Sequence, residues 1–271
     1  MTGEHMRDAG TAAATRPRSR TELDGRIAEG RRFIDAAFGK AAPLRIAAGE
    51  VVLGANAASP LACRLSGGWA CRAIGWSDGR RAIIDIYLPG DIIGIETVLF
   101  DRPHDEVVAI TALGVRAIDA AALAELMTHP AAAAAAFWVL AEQRRRGDRL
   151  TAALARRDAH ERLALMLTDL HDRLRQRGLI AEASYPLPLT QQQIGDHLGL
   201  TLVHVNRVLR SLREKRIVSI DRHVVTIRDL DRLRQLAASG RGEQQLTVTR
   251  PLASRERLAL DHAELGEFAL S

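Results

Sequence analysis

"LTQQQIGDHLGLTLVHVNRVLRSLREKRIVSI", at positions 189–220, predicts two short helices joined at Gly199. Thr190 can cap the first helix and Thr201 the second, because a threonine hydroxyl accepts a hydrogen bond from the amide two or three residues on. Gly199 can take the left-handed conformation that ends a helix. Since only a few residues separate the two helices, they must cross steeply, and the small Gly195 suits their closest approach. This spacing predicts a helix-turn-helix, with an unrelated pair of packed core helices as the alternative.

The outer side of the second helix, expected to run to about residue 215, favours double-stranded DNA as a partner. It carries Arg, His and Asn with no acidic residue between 200 and 212, whereas a solvent-facing hairpin of helices would more often mix Glu and Lys. A helix fits the major groove, where Arg207 can donate two bonds to guanine and Asn206 can pair with adenine. Hydroxyls and amides at helix N-termini favour phosphate. The predicted DNA-binding residues are Thr190, Gln191, Gln192, Thr201, Val203, His204, Asn206, Arg207, Arg210 and, at the tip of a following hairpin, Arg222.

The composition allows one large or two modest domains and favours helices. The chain has 271 residues, of which 47% are hydrophobic and 4% aromatic, and Ala and Leu carry most of the apolar volume. The formal net charge is +5, and Arg supplies nearly all of the positive charge, since the only lysines are Lys40 and Lys215. Arg suits bidentate contacts to phosphate and guanine. Genomic base composition can also enrich Arg, so the charge alone is a weak sign of nucleic-acid binding.

The two cysteines and the polar N-terminus exclude several classes of protein. Cys63 and Cys71 cannot form a disulfide framework or a four-thiolate iron–sulfur site, and both fit core strand positions. Haem ligation through Cys71, His5 or His104, and redox pairing of the two cysteines, are weaker alternatives, so we predict no cofactor. No apolar run reaches about 18 residues, which predicts a cytoplasmic protein without a membrane partner.

The region between residues 42 and 118 differs in texture from the rest of the chain. Short apolar segments alternate there with Gly, Pro, Asp and Ser turns, which predicts many short antiparallel strands. Asp78-Gly79 in "WSDGRR" predicts a hairpin turn, because both residues accept positive φ. A polar arm and a short helix precede these strands. The apolar stripe expected on that leading helix consists of Ile27, Phe33, Ile34 and Phe38.

Helices are expected to dominate from residue 121 onward. Pro130 can open a long helix, on which apolar residues recur at near-heptad spacing and offer a stripe to a partner helix. Packing of that stripe on the chain's own domain is the alternative. The predicted dimerisation residues are Phe137, Leu140, Ala141, Leu150 and Leu154. A further helix ends at Gly178, and the hairpin after the helix-turn-helix would form a wing.

The order of strands, long helix and winged helix-turn-helix resembles the Crp/Fnr family, the cyclic-AMP receptor and fumarate–nitrate regulator type of bacterial transcription factor. The similar segment covers roughly residues 40–238; "LPGDIIG" and "PLPLTQQQIGDHLGLTLVHVNRVLRSLREKRIV" match best, and "VHVNR" resembles a variant common in alphaproteobacterial members. The resemblance implies an α+β fold with an N-terminal antiparallel β-roll of the cyclic-nucleotide-binding jelly-roll type. It also implies a homodimer on a palindromic operator, with RNA polymerase as a protein partner.

The resemblance divides the chain into five parts. They are a disordered arm (1–22), a sensory β-roll domain with its leading helix (23–128), a dimerisation helix (129–158), a winged helix-turn-helix domain (159–238) and a flexible tail (239–271). Many members have Glu at the position of Val203 and Ser or Gly at that of Asn206, whereas Arg207 keeps the family's arginine. We therefore expect an operator that differs from the commonest consensus.

The residues for cyclic AMP depart from the pattern of nucleotide-binding members. Those members have Gly-Glu in the roll for the ribose and, some ten residues later, an Arg for the phosphate. Here Ile95 follows the glycine, Glu96 is shifted by one, and Asp105-Glu106 lie near the arginine's place. Two acids would repel a phosphate, and Arg102 in the nearby turn is a weak substitute. We predict no cyclic-AMP binding through the family's usual contacts, and the signal stays unidentified.

Two other classes of function remain to be weighed. One is a cyclic-nucleotide-type sensory module that acts on a protein partner, which the helix-turn-helix disfavours. The other is an enzyme that docks on nucleic acid through the winged helix. The sequence contains no P-loop, no HExxH and no G-x-S-x-G, so no enzyme is predicted. The hypothesis that best fits all these features is a sequence-specific DNA-binding transcription regulator.

Overall fold

The computed structural model describes residues 20–54, 61–98 and 105–238. The helices are α1 (Arg20–Lys40), α2 (Ala120–Met127), α3 (Pro130–Arg156), α4 (Ala159–Gln176), α5 (Gln191–Leu198), α6 (Leu202–Glu214) and α7 (Leu230–Ala238), with a 3-10 helix at Ile95–Val98. The strands are β1 (Pro43–Ile46), β2 (Val51–Leu53), β3 (Leu61–Gly67), β4 (Ala70–Gly75), β5 (Arg81–Tyr87), β6 (Ile92–Ile93), β7 (Glu106–Ala109), β8 (Leu113–Asp119), β9 (Ser184–Pro186), β10 (Val218–Asp221) and β11 (Val224–Ile227).

Strands β1 to β8 form a β-roll of two antiparallel sheets. The sheet orders are β1-β8-β3-β6 and β2-β7-β4-β5, and the inner faces enclose a core that includes Leu65, Tyr87 and Val115. Strands β4 and β5 pair through the hairpin predicted at Asp78-Gly79, where Gly79 has a φ of +85°. The predicted α+β fold, with its roll followed by a long helix and a winged helix-turn-helix, is confirmed.

Helix α1 packs closely against α3. A β-carbon at Gly30 would lie 1.8 Å from the carbonyl oxygen of Ala131, so only glycine permits this approach. Of the predicted stripe, Ile34 and Phe38 are buried, whereas Phe33 is exposed and stacks on the ring of His129. The helix has 21 residues and begins at Arg20, three residues inside the arm predicted for 1–22. The rest of that arm lies outside the described residues.

Capping residues begin each of the next three helices. The Asp119 carboxylate accepts from the amide of Ala122 at the start of α2, and Pro130 opens α3 as predicted. Asp158 and Glu161 form a capping box at the start of α4.

No single helix in the described ranges is long and apolar enough to span a membrane; α2 and α3 pass that test only together, bent by 113°.

The winged helix-turn-helix domain docks on the outer face of the second sheet. Cys71 and Ile86 on that face belong to the same buried core as Leu163 of α4 and Ile194 of α5. Strand β5 is therefore apolar on both faces, because Tyr87 points into the roll while Ile86 points toward the helices. This docking ties the two domains into one core, and the sequence pattern had not predicted it.

Helix α7 is a second unpredicted feature. It packs on α4 through Leu233 and Ala237, both buried, and covers residues that were expected to begin a linker after Leu236. The sequence did carry a signal for this helix, because Leu230, Leu233 and Leu236 recur every third residue and the Asp229 carboxylate accepts from the amide of Arg232. The predicted tail, 239–271, lies outside the described residues.

Candidate nucleic-acid interface

The caps and turn of the helix-turn-helix form as predicted. Thr190 and Gln193 make a capping box at α5: the amide of Gln193 donates to Thr190 Oγ1 (3.1 Å), and the amide of Thr190 donates to Gln193 Oε1 (2.8 Å). Gly199 ends α5 in the left-handed conformation, with φ +61° and ψ +40°. Thr201 then caps α6 by accepting from the amide of His204 at 3.3 Å.

The two helices meet at Gly195. A β-carbon there would lie 2.5 Å from the carbonyl oxygen of Leu200 and 3.8 Å from Val205 Cγ2, so the crossing excludes any larger residue. The amide of Leu200 donates to the carbonyl of Gly195 at 3.0 Å, and Val205 is fully buried beneath the turn. Buried Val205, Val208 and Leu212 fix which side of α6 faces the core. The opposite side of α6 must therefore face solvent.

All of the predicted DNA-binding residues are exposed. Val203 is 66% exposed, which leaves it available for contact. A groove brings part of this set together with the tip of the wing. Residues of α5, α6 and the wing line it, including Thr190, Gln191, Gln192, Asn206, Arg210, Arg213 and His223. The groove does not include Thr201, Val203, His204, Arg207 or Arg222, and the role of each residue in binding DNA stays a prediction.

Three polar residues of α6 differ in how far they are engaged within the chain. Asn206 Nδ2 donates to the carbonyl of Leu202 (3.1 Å), and Arg210 Nε donates to Glu214 (2.9 Å). Arg207, by contrast, forms no hydrogen bond or ion pair with any described residue. Glu214 lies four residues after Arg210, just beyond the stretch between 200 and 212 that has no acidic residue. At this spacing the two side chains form an ion pair along the helix. Arg207 is thus the arginine of this face that can bind a ligand without breaking a contact.

The wing is a tight hairpin with an unusual turn. Asp221 pairs with Val224, so only Arg222 and His223 connect β10 to β11, with φ values of +46° and +62°. Positive φ at both positions is what a type I′ turn requires, and it is strained for residues other than Gly, Asn or Asp. The amide of Leu187 donates to the carbonyl of His223 at 2.7 Å and holds the turn in place. The turn therefore projects the predicted contact Arg222 from the tip.

The five residues predicted for dimerisation do not share one face of α3. Phe137 is 74% exposed, and Ala141 beside it is half-buried. Leu140 packs on the core beneath α1, whereas Leu150 lines a small cavity with residues of β5 and α4. Leu154 is 38% exposed at the end of α3. The reason is that α1, the roll and α4 cover two sides of α3. Its exposed side, here called the outer strip, consists of Phe137, Ala141, Arg144, Asp148 and Thr151.

Buried ion pairs join the roll to α3 and α4. Arg146 makes two bonds to Asp85, at 3.1 and 2.8 Å, and Asp91 accepts from Arg173 (2.9 Å) and Arg177 (2.6 Å). Burial opposes ionisation of Asp91, but the two guanidinium groups outweigh it and lower its pKa below the usual value. Sequence analysis did not find these pairs, because the partners lie 61 to 86 positions apart.

The region expected to hold a nucleotide is described on both sides of residues 99–104. Ile95 is buried, and a β-carbon at Gly94 would lie 2.5 Å from the carbonyl oxygen of Leu61. Arg72 Nε lies 3.7 Å from Asp105 Oδ2 and is buried without a hydrogen-bond partner among the described residues. Residues 99–104, including Arg102 and His104, lie outside the described residues.

The two cysteines belong to different buried cores. Cys63 belongs to the core between the two sheets, whereas Cys71 faces α4 and α5. Burial raises the pKa of Cys63 to about 11 and also raises that of Cys71, so both are thiols near neutral pH. Their prediction as core strand residues is confirmed. Within the described ranges, no group of three or more His, Cys, Asp or Glu residues could hold a metal ion.

Comparison with known proteins identifies the family. Residues 161–236 match the Crp-like helix-turn-helix domain. The nitrogen fixation regulation protein FixK of Azorhizobium caulinodans is 35% identical over 169 residues, which are 61% of this chain and 66% of that protein. FixK of Rhizobium meliloti is 30% identical over 161 residues, 59% of this chain and 70% of that protein. The structure of FixK2 from Bradyrhizobium japonicum matches with a TM-score of 0.66 and 26% identity, over 72% of this chain and 96% of that one.

These matches agree with the geometry described above. The aligned segments span about two thirds of the length of the curated relatives, and the Crp-like match contains both helices of the helix-turn-helix and the wing. The matched proteins are transcription regulators and not enzymes. The chain therefore belongs to the Crp/Fnr family of transcription regulators.

Proposed function

We propose that this protein binds a specific DNA sequence as a homodimer and responds to an unidentified signal through its β-roll. The observation that carries the proposal is the exposed face of α6, on which Arg207 has no partner among the described residues. A buried face of Val205, Val208 and Leu212 fixes this helix to its domain. An unpaired guanidinium on a rigid helix is suited to guanine O6 and N7 in the major groove.

The remaining contacts follow from placing the exposed face of α6 in the major groove of DNA. With α6 in the major groove, Val203, His204 and Asn206 would face bases, and the capped N-termini at Thr190 and Thr201 would approach phosphates. Asn206 would exchange its bond to the Leu202 carbonyl for one to adenine. Arg222, at the tip of the wing, would contact the backbone of the adjoining duplex.

The outer strip of α3 is the surface that we propose for dimerisation. Phe137 offers an apolar contact, and the Arg144–Asp148 ion pair (2.8 Å) lies on the same strip, two turns further along α3. A two-fold axis beside α3 would place the two α6 helices in successive major grooves, about 34 Å apart, and would require a roughly palindromic operator. RNA polymerase is the protein partner expected for a regulator of this kind.

The signal is proposed not to be cyclic AMP bound through the usual contacts. Buried Ile95 takes the place of the ribose-binding glutamate, and Asp105 and Glu106 take the place of the phosphate-binding arginine. These substitutions remove both polar anchors of the nucleotide and add negative charge near its phosphate.

Selection of bound sequences from a random pool of duplex DNA tests the proposal. The purified chain should enrich a palindrome whose half-sites lie about one helical turn apart. The variant Arg207→Ala should enrich a sequence that is degenerate at one base pair of each half-site, whereas Arg175→Ala, an exposed arginine on α4, should enrich the wild-type palindrome. Failure of the wild-type chain to enrich any sequence would contradict DNA binding and would favour a sensory module that acts on a protein.

A further inference from the structure

The side chain of Arg162, in the first turn of α4, joins three segments of backbone. Its Nη2 donates to the carbonyl of Leu154 (3.0 Å), its Nε to that of Arg157 (2.9 Å) and its Nη1 to that of Leu198 (3.0 Å). Leu154 lies in the last turn of α3, Arg157 caps that helix, and Leu198 is the last residue of α5. One guanidinium therefore holds the C-terminal ends of two helices.

This arrangement suits an arginine. The last carbonyls of a helix have no amide partner within it and carry the negative end of its dipole, so two helix ends that converge need donors and positive charge. The planar guanidinium offers donors in several fixed directions, whereas a lysine ammonium is a single point on a flexible stem. No other described side chain hydrogen-bonds both α3 and α5.

Apolar packing supports the same contact. A β-carbon at Gly199 would lie 3.3 Å from Leu154 Cδ2 and 3.7 Å from Arg162 Nη1, so the turn of the helix-turn-helix lies directly on the end of α3. Two polar contacts link α5 to the roll. His197 Nδ1 donates to the carbonyl of Ile83 (2.9 Å), and Asp196 faces Arg81 (3.7 Å). Arg162 thus supplies the polar link between α5 and α3.

We infer that Arg162 is a positioning residue that, together with the docking of the domain on the roll, fixes the angle between α3 and the α5–α6 pair, and thereby sets the half-site spacing that the dimer accepts. The inference rests on the proposed function, because only a dimer on two half-sites has a spacing to select. In the proposed dimer each α6 would lie at a distance from the two-fold axis beside α3, so a small change of angle at the junction would displace α6 along the duplex. A loosened junction would accept several spacings and favour none.

The test measures affinity for a set of operators made from the selected palindrome. The set has the selected spacing, spacings changed by one and by two base pairs in each direction, and a single half-site. The wild-type chain should lose affinity steeply when the spacing changes. Arg162→Met, which keeps an unbranched apolar stem but lacks the guanidinium donors, should reduce that discrimination by about fivefold or more. Its affinity for the single half-site should change by less than about twofold, because α6 itself is unaltered.

Arg234→Met is the matched control. Arg234 pairs with Asp172 (2.9 Å) between α7 and α4, so its loss perturbs the DNA-binding domain without touching α3. This variant should keep the wild-type spacing preference even if its melting temperature falls.

The outcomes separate the inference from the proposed function. If the wild-type chain selects an operator and Arg162→Met keeps the same spacing preference, the inference is wrong and the proposed function stands. The melting temperature of the variant does not change this conclusion, because a merely structural role of Arg162 would weaken binding at all spacings equally. If Arg162→Met does not fold, Arg162→Lys, which keeps the charge, should show an intermediate loss of discrimination, and an unchanged preference in that variant would overturn the inference. A wild-type chain that selects no operator would remove the proposed function and the inference with it.

Discussion

The exposed face of α6 and the buried junction of the roll with α3 and α4 use arginine in opposite ways. At the junction, Arg146 and Arg173 are largely buried and each binds an aspartate of the roll. On α6, Arg207 is exposed and binds no described residue. A buried guanidinium must be paired because its desolvation is costly, whereas an exposed one loses little by standing alone. Burial and pairing therefore identify the structural arginines, whereas an unpaired arginine such as Arg207 is a candidate for DNA only because it also lies on the helix-turn-helix.

Removal of an acid from the junction should have the largest effect. In Asp85→Ala, Arg146 loses two hydrogen bonds while it stays buried, so the free energy of unfolding should fall by about 3–5 kcal/mol. Chemical denaturation measures this value. The control Glu214→Ala removes an exposed acid from Arg210 on α6 and should change stability little. Similar losses in the two variants would contradict the distinction between buried and exposed pairs.

Substitution of Phe137 tests whether the outer strip of α3 contacts a second copy. Phe137→Glu would bury a carboxylate in the proposed apolar contact, and loss of an aromatic anchor there should weaken dimerisation by about 2–4 kcal/mol. Sedimentation should show a monomer at concentrations where the wild-type chain is a dimer. Trp76→Glu, at an exposed aromatic of the β4–β5 hairpin, serves as the control and should leave the dimer intact. A dimer that persists in Phe137→Glu would place the interface on another surface.

Because Arg207 is exposed and unpaired, we expect it to contribute to DNA binding and not to the stability of the fold. Arg207→Ala should weaken binding to the selected operator by about 1–3 kcal/mol and relax the choice at one base pair, while the free energy of unfolding stays unchanged. Titration of the selected and scrambled duplexes measures the difference. Equal weakening on both duplexes would assign Arg207 to phosphate and not to a base.

The local features of the fold could be predicted from the sequence, whereas the long-range ones could not. Thr190, Thr201 and Gly199 act on backbone within a few residues, so their capping and turn geometry follow from residue type alone. The pair Asp85–Arg146 joins positions 61 residues apart, and neither residue differs locally from an exposed one.

The dimerisation residues illustrate the same limit. A heptad stripe shows that α3 has apolar neighbours, but it does not say whether those neighbours belong to the same chain. Leu140 and Leu150 pack within the chain, and Phe137 alone of the large apolar residues in that prediction is mostly exposed. Identifying that face required the positions of α1, α4 and the roll.

The buried junction should also make stability depend on pH through His197. Burial lowers the pKa of this ring, and the bond to the Ile83 carbonyl and the nearby Asp85 and Asp169 only partly oppose that shift; Arg173 reinforces it. Because the folded pKa lies below the unfolded value of about 6.5, His197 stabilises the fold above that pH, and this contribution is lost as the pH falls below it.

The measurable consequence is a slope in the unfolding free energy. Between about pH 6.5 and the lower folded pKa, His197 should reduce that free energy by up to about 1 kcal/mol per pH unit. His197→Gln should flatten the profile in this range, and the control His223→Gln, at the exposed tip of the wing, should not. If the unfolding free energies of wild type and His197→Gln depend on pH in the same way, the pKa of the ring does not differ between the folded and unfolded states.

Cyclic AMP should have no effect, for a reason that extends the comparison to the roll. Near the place where the resemblance expects a phosphate-binding arginine the roll carries Asp105 and Glu106, so it presents acids where α6 presents an unpaired arginine, and their charge repels a phosphate. Buried Ile95 cannot accept from a ribose hydroxyl. Titration with cyclic AMP should therefore leave both the melting temperature and operator affinity unchanged. A saturable shift in either would contradict this prediction and would mean that the roll binds the nucleotide through other residues.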